Sequence, residues 1–127
     1  MHNCGDLTKD IVQGGHAYRH VGLSDQQLIA RAPTTRSRMA SSLNPATAQD
    51  SINQVLAGVD LNKWAANKNL PVGAERELHG SFAQPIGRVA DAQRNVYEAK
   101  KLTLVIRKVK APRHKGAWIV YTLKAHR

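Results

Sequence analysis

The sequence predicts an α+β fold in which N-terminal helices pack on a C-terminal twisted antiparallel sheet, and three observations predict it. Capping signals and apolar residues at helical spacing occupy the stretch from Ser24 to Ala65. Beyond Gly80, short β-branched runs punctuated by glycine and proline take over, and helices followed by strands, without alternation, mark an α+β domain. The 127 residues suit one domain, 1–127, in which the polar, glycine-containing residues 1–15 form a flexible lead-in.

The elements follow in order. Ser24-Asp25-Gln26-Gln27 has the capping-box spacing, and Leu28 and Ile29 behind it supply apolar contacts, so a short helix runs from about Asp25 to Ala32 and Pro33 stops it. Pro33 to Asn44, rich in Thr, Ser and Arg, reads as a loop. Asn44-Pro45 opens a second helix with Ala48, Ile52, Val55 and Leu56 on one face and Gly58 at its end. Asp60, Leu61, Trp64 and Ala65 extend the pattern until Pro71 and Gly73 break it, and the two tryptophans, Trp64 and Trp118, sit in apolar patterns that suit core anchors. The clearest strands are Leu102 to Val109 and Ala117 to Leu123, joined by a basic hairpin loop over Pro112 to Gly116.

Nineteen Lys and Arg against nine Asp and Glu give a formal charge of +10, a field that attracts polyanions. From Arg88 onward, eleven basic residues face only Asp91 and Glu98. Cys4 is the sole cysteine, so no intrachain disulfide can form. No run approaches the roughly 20 apolar residues of a membrane span, and the N-terminus lacks a secretory signal. No membrane partner is expected of the isolated domain, and export would need another carrier.

The densest chemical cluster is Gly14-Gly15-His16-Ala17-Tyr18-Arg19-His20-Val21-Gly22. Imidazole titrates near neutrality and is the usual proton shuttle. Zinc would call for a cysteine pair or a His-Glu-x-x-His pattern; neither occurs, and no metal or cofactor is expected. Histidines in a basic protein also serve structure alone, Arg31 also fits a cation at a helix C-terminus, and Thr122 also fits an ordinary strand residue.

The run His20-Val21-Gly22-Leu23-Ser24-Asp25-Gln26-Gln27-Leu28-Ile29-Ala30-Arg31, with Ala40-Ser41-Ser42-Leu43, Ala46-Thr47-Ala48, Pro85-Ile86-Gly87-Arg88-Val89 and a last strand ending in Thr122, resembles the bacterial ribonuclease A-like domain at the C-terminus of contact-dependent growth inhibition and other polymorphic toxins. The likeness spans His16 to Ala125 and implies a ribonuclease A-like fold without disulfides. In that family the His of His-Val-Gly, the Arg closing the first helix and a Thr-x-Tyr pair form the active centre. Carried over by position, these fall on His20, Arg31 and Thr122, while Lys124 stands where the pattern has Tyr. Simple alternation sends Thr122 and Lys124 to one side of the strand and Tyr121 to the other. His16 and His126 are the competing proton donors.

The resemblance further implies a metal-independent endoribonuclease, often acting on tRNA, delivered as the C-terminal part of a large secreted or surface protein into the target-cell cytoplasm. It implies a cognate immunity protein, which should be acidic against a charge of +10, and a toxin monomer within a heterodimeric complex. RNA phosphates are expected on the basic hairpin through Arg107, Lys108, Lys110, Arg113 and Lys115. Two alternatives stay open: a basic RNA-binding module without catalysis, and a metal-dependent DNA nuclease, for which the nine acids are scattered.

Overall fold

The structure, a computed structural model, describes residues 17–110 and 117–127. The expected lead-in, His16, and the loop with Arg113 and Lys115 lie outside the described residues. A 3-10 turn, Ala17–His20, leads into α1, Asp25–Arg31. Ser24 Oγ accepts the Gln27 backbone N–H and the Gln27 side chain accepts that of Ser24, so two otherwise orphaned donors are satisfied at once. Pro33 ends the helix within a second 3-10 turn, Ala32–Thr34.

Strand β1, Met39–Leu43, comes next, followed by α2, Ala48–Leu56, and α3, Leu61–Ala65, whose N-terminus is capped by the Asp60 carboxylate accepting from Lys63 N–H. Then come β2, Glu75–Ser81; β3, Gly87–Asp91; β4, Val96–Ala99; β5, Lys101–Val109; and β6, Ala117–His126. They form two antiparallel three-stranded sheets in the orders β1-β3-β4 and β2-β5-β6. The architecture is the expected α+β one, ribonuclease A-like and with a single cysteine, but its sheet is divided in two.

Packing follows the two periodicities. Ile52 of α2 and Leu61 and Ala65 of α3 bury against Leu78, Leu104, Ile106, Trp118, Val120 and Leu123, the inward residues of the second sheet. Each large apolar side chain buried here contributes about 1.5–3 kcal/mol. Trp118 is the anchor the sequence suggests, with its indole N–H donating to Asn62 Oδ1 at 3.0 Å. A smaller cluster of Leu28, Ala32, Ala40 and Ala90 seats α1 on the first sheet.

Two strands depart from the sequence expectation. The stretch read as a loop contains β1, because Ser41 and Ser42 are buried hydroxyl residues that a hydropathy pattern scores as polar. Strands also begin before Gly80: β2 is an edge strand in which only Leu78 is buried, so its charged residues mask the period-2 signal. The β1–β3 pair leaves no room for a side chain at Gly87, where a Cβ would run into the carbonyl oxygen of Ser42 on the opposing strand. Gly87→Ala is therefore expected to lower stability by about 1–3 kcal/mol in urea unfolding, and an unchanged midpoint would contradict this register.

Candidate active site

The edge strand β1 of one sheet meets the edge strand β6 of the other, and a cavity of 260 Å³ opens where they converge. His20, Arg31, Thr122 and Lys124 all line it, on walls completed by Thr35, Ser37, Met39, Ala40, Ser41, Val89 and Leu123. Residues separated by as many as 104 positions in the chain therefore share one cavity.

Each wall is held by identifiable contacts. Val21 forms a parallel bridge with Leu43, the Gly22 N–H donates to Leu43 O at 3.0 Å, and the Leu23 N–H donates to Ser42 Oγ at 2.9 Å. These bonds fasten the segment after His20 to the end of β1. Gly22 has φ of +76°, a left-handed conformation that favours glycine, and its position would put a Cβ 3.2 Å from Pro45. Arg31, the last residue of α1, donates from Nη1 to the carbonyl of Arg19 at 3.2 Å, tying the guanidinium to the turn that carries His20. On the opposite wall, Ala125 N–H donates to Ser41 Oγ at 3.0 Å, so β6 is docked on β1 by a buried side chain.

Thr122 and Lys124 share the cavity, as alternation along β6 requires. Tyr121 does not obey the same alternation. The β5–β6 register slips between Val105↔Thr122 and Ile106↔Val120, leaving Tyr121 as the extra residue of a β-bulge, with its ring 3.4 Å beneath the Arg107 guanidinium carbon. The Arg107 guanidinium also holds Glu75 Oε2 through Nε at 2.9 Å.

The hairpin basic residues divide. Lys108 is not free for RNA: it is only 8% exposed, and its ammonium donates to the carbonyls of Asn67 at 2.9 Å and Leu70 at 2.6 Å. Its parity in β5 matches the core residues Leu104 and Ile106, which is why it faces inward. Arg107 is engaged by Glu75 and Tyr121, and Lys110 is exposed. His126 is not among the cavity residues; its Nε2 lies 3.0 Å from Thr103 Oγ1. Burial first, then the charges of Lys124 and Lys101, hold its pKa below the usual histidine value.

The sequence reading overlooked the wall residues Thr35, Ser37 and Met39. Thr35 Oγ1 is placed by the Met39 N–H at 3.0 Å and by contacts to the Ala32 and Met39 carbonyls, a turn whose only sequence signal is its density of hydroxyl residues. Among the described residues no group of three His, Cys, Asp or Glu gathers at one point, and no helix is long and apolar enough to cross a membrane.

An α+β frame with a single cysteine, and with a histidine, an arginine and a threonine of the last strand around one cavity, fits the ribonuclease A-like domain that the sequence resembles. The chain belongs to the family of bacterial CdiA-CT RNase A domains, whose model matches residues 15–123. Among solved structures it is similar to the CdiA-CT/CdiI complex from Y. kristensenii 33638, at 22% identity and a TM-score of 0.67, covering 89% of this chain and 100% of that one. At that identity the likeness concerns the fold. No curated protein matches the chain.

Two outcomes test the scaffold. Ser41→Ala strips the buried Ala125 N–H of its acceptor and is expected to cost about 1–3 kcal/mol, measured by urea unfolding. A His126 pKa depressed in the folded state means the unfolded chain binds that proton more readily, so stability is full above about pH 6.5 and declines as pH falls below it. The urea midpoint should drop between pH 7.5 and pH 5.5, and by less in His126→Gln; equal drops would contradict the assignment.

Proposed function

We propose that this domain is a metal-independent endoribonuclease whose catalytic groups are His20, Arg31, Thr122 and Lys124. The observation that carries the proposal is that all four line one 260 Å³ cavity although they come from a 3-10 turn, a helix end and the last strand. Nδ1 of His20 is enclosed, so Nε2 is assigned as the base. It takes the proton of a ribose 2′-hydroxyl, the 2′-oxygen attacks the adjacent phosphorus, and the bond to the 5′-oxygen of the next nucleotide breaks, leaving a 2′,3′-cyclic phosphate.

Arg31 has five N–H donors and spends one on Arg19, leaving others for the phosphate. Opposing the charge that grows on the nonbridging oxygens in this way contributes ~3–4 kcal/mol in comparable sites. The Thr122 hydroxyl donates to the same phosphate, and the Lys124 ammonium gives its proton to the departing 5′-oxygen. DNA, without a 2′-hydroxyl, is not a substrate on this mechanism.

Residues 1–127 act as one toxin domain, the C-terminal part of a large secreted or surface protein, and cleave RNA, with tRNA as the substrate class, in the cytoplasm of a target cell. Lys110, and Arg113 and Lys115 outside the described residues, supply further phosphate contacts. The related Y. kristensenii structure is a complex with CdiI; the corresponding partner here is an acidic immunity protein that covers the cationic cavity of a +10 monomer.

Incubation with tRNA in EDTA tests the reading. The parent should produce fragments with 2′,3′-cyclic ends, and His20→Ala should slow cleavage by ~10²–10⁴-fold while still binding RNA. Arg31→Lys, which keeps the charge but loses the planar fork, should also be impaired. Cleavage by His20→Ala at the parental rate would remove this base; intact tRNA with the parent would leave a binding module instead.

A further inference from the structure

The outward face of the second sheet carries another constellation beside the cavity. His79 on β2, Thr103 on β5 and His126 on β6 stand side by side, with Thr103 Oγ1 at 3.0 Å from His79 Nδ1 and 3.0 Å from His126 Nε2. Thr103 is the register partner of both His79 and Lys124, and Lys101 is the partner of His126. Two imidazoles and two ammonium groups thus converge around one hydroxyl.

The charges acting on His126 are Lys124 from its own strand, Lys101 from β5 and His79 from β2, and every one disfavours its protonation. None of these four residues pairs with a carboxylate among the described residues. The nearest acid on that face of β2 is Glu77, two residues from His79 and register partner of Val105. A solvated sheet surface normally intersperses both signs, and like charges gathered without a counterion cost stability. A bound anion would reverse that cost.

Lys124 belongs to both groups, since it also lines the cavity with His20. Thr122, Lys124 and His126 succeed one another at every second residue of β6, about 6.8 Å per step, so the cavity wall leads directly into the cluster. The geometry points to a second anion site, formed by His126, Lys101 and His79 around Thr103, that binds the RNA phosphate next to the scissile one. This inference rests on the ribonuclease reading, and the order of residues fixes the side. If Lys124 meets the departing 5′-oxygen, the site beyond it takes the phosphate on the 3′ side of the nucleotide that leaves.

A dinucleotide bearing a 3′-terminal phosphate, compared with the same dinucleotide without it and with one phosphorylated at the 5′ end, isolates the site. The 3′-phosphate should raise kcat/KM by roughly tenfold near pH 6, as a charge-assisted contact would. The advantage should shrink by pH 8, where the His126 imidazole is neutral. In His126→Gln, and separately in the exposed Lys101→Gln, the ratio between the two substrates should fall severalfold. The inference is overturned if the ratio is unchanged in both variants, or if the advantage follows the 5′-phosphate instead.

The 2′-deoxy forms of the same ligands, which have no internal nucleophile, give a binding readout free of cleavage. With the parent they should bind more tightly when 3′-phosphorylated and should shift the His126 ring resonances. Such binding without any RNA cleavage would sink the ribonuclease reading and leave the anion site standing. Cleavage with no 3′-phosphate preference would do the reverse.

Discussion

Two adjacent serines on β1 hold the candidate site together. Successive strand residues face opposite ways, so Ser41 and Ser42 reach in opposite directions. Ser41 Oγ accepts from Ala125 on β6 and Ser42 Oγ accepts from Leu23, just past His20. The wall with Thr122 and Lys124 and the wall with His20 are thereby fixed to one strand, and through Arg19 the Arg31 guanidinium is fixed to the same turn. Both serines are at least 95% buried, and each hydroxyl satisfies a backbone donor that the divided sheet cannot pair with a neighbouring strand. A frame without disulfides relies on such bonds, because the alternative is an unsatisfied N–H at a cost of about 1–3 kcal/mol.

Those same serines mark where the sequence becomes illegible. α1 is legible because the capping box is local, as are β5 and β6, whose apolar runs are continuous. β1 is not, since its burial depends on partners 19 and 84 residues away. His20, Arg31 and Thr122 are recognisable only by their order within a family pattern; nothing in their spacing places them in one cavity. Tyr121 and Lys108 show the complementary failure. A bulge at Val105/Ile106 overrides alternation for the first, and two carbonyls of the α3–β2 connection, those of Asn67 and Leu70, claim the ammonium of the second.

The net charge of +10 thus resolves into cations with different work. Arg88 lies 3.2 Å from Asp25 in an exposed pair, which contributes little, and Arg107 is held by Glu75. Lys108 stabilises the fold from within. Lys101 and Lys124 have no such partner among the described residues; Lys124 stands on the edge strand β6 that lines the cavity, and Lys101 on the neighbouring β5, opposite His126. Parity on β5 turns Lys108 inward and leaves Lys101 and Arg107 outward, and of those two Glu75 holds Arg107.

Parity also explains how Lys124 can occupy a position where related domains carry a phenol. On the proposed reaction RNA supplies the nucleophile, so the protein needs a base on one side of the phosphate and a positive or proton-donating group on the other. An ammonium meets the second requirement without a change of backbone, provided the strand keeps its register through residue 124. The bulge lies on the N-terminal side of Thr122, and Thr122, Lys124 and His126 remain in step with Val105, Thr103 and Lys101. The exchange of phenol for ammonium puts a fixed charge where the pattern has a neutral donor, and Lys101, register partner of His126 on the same face, extends the positive surface beside it.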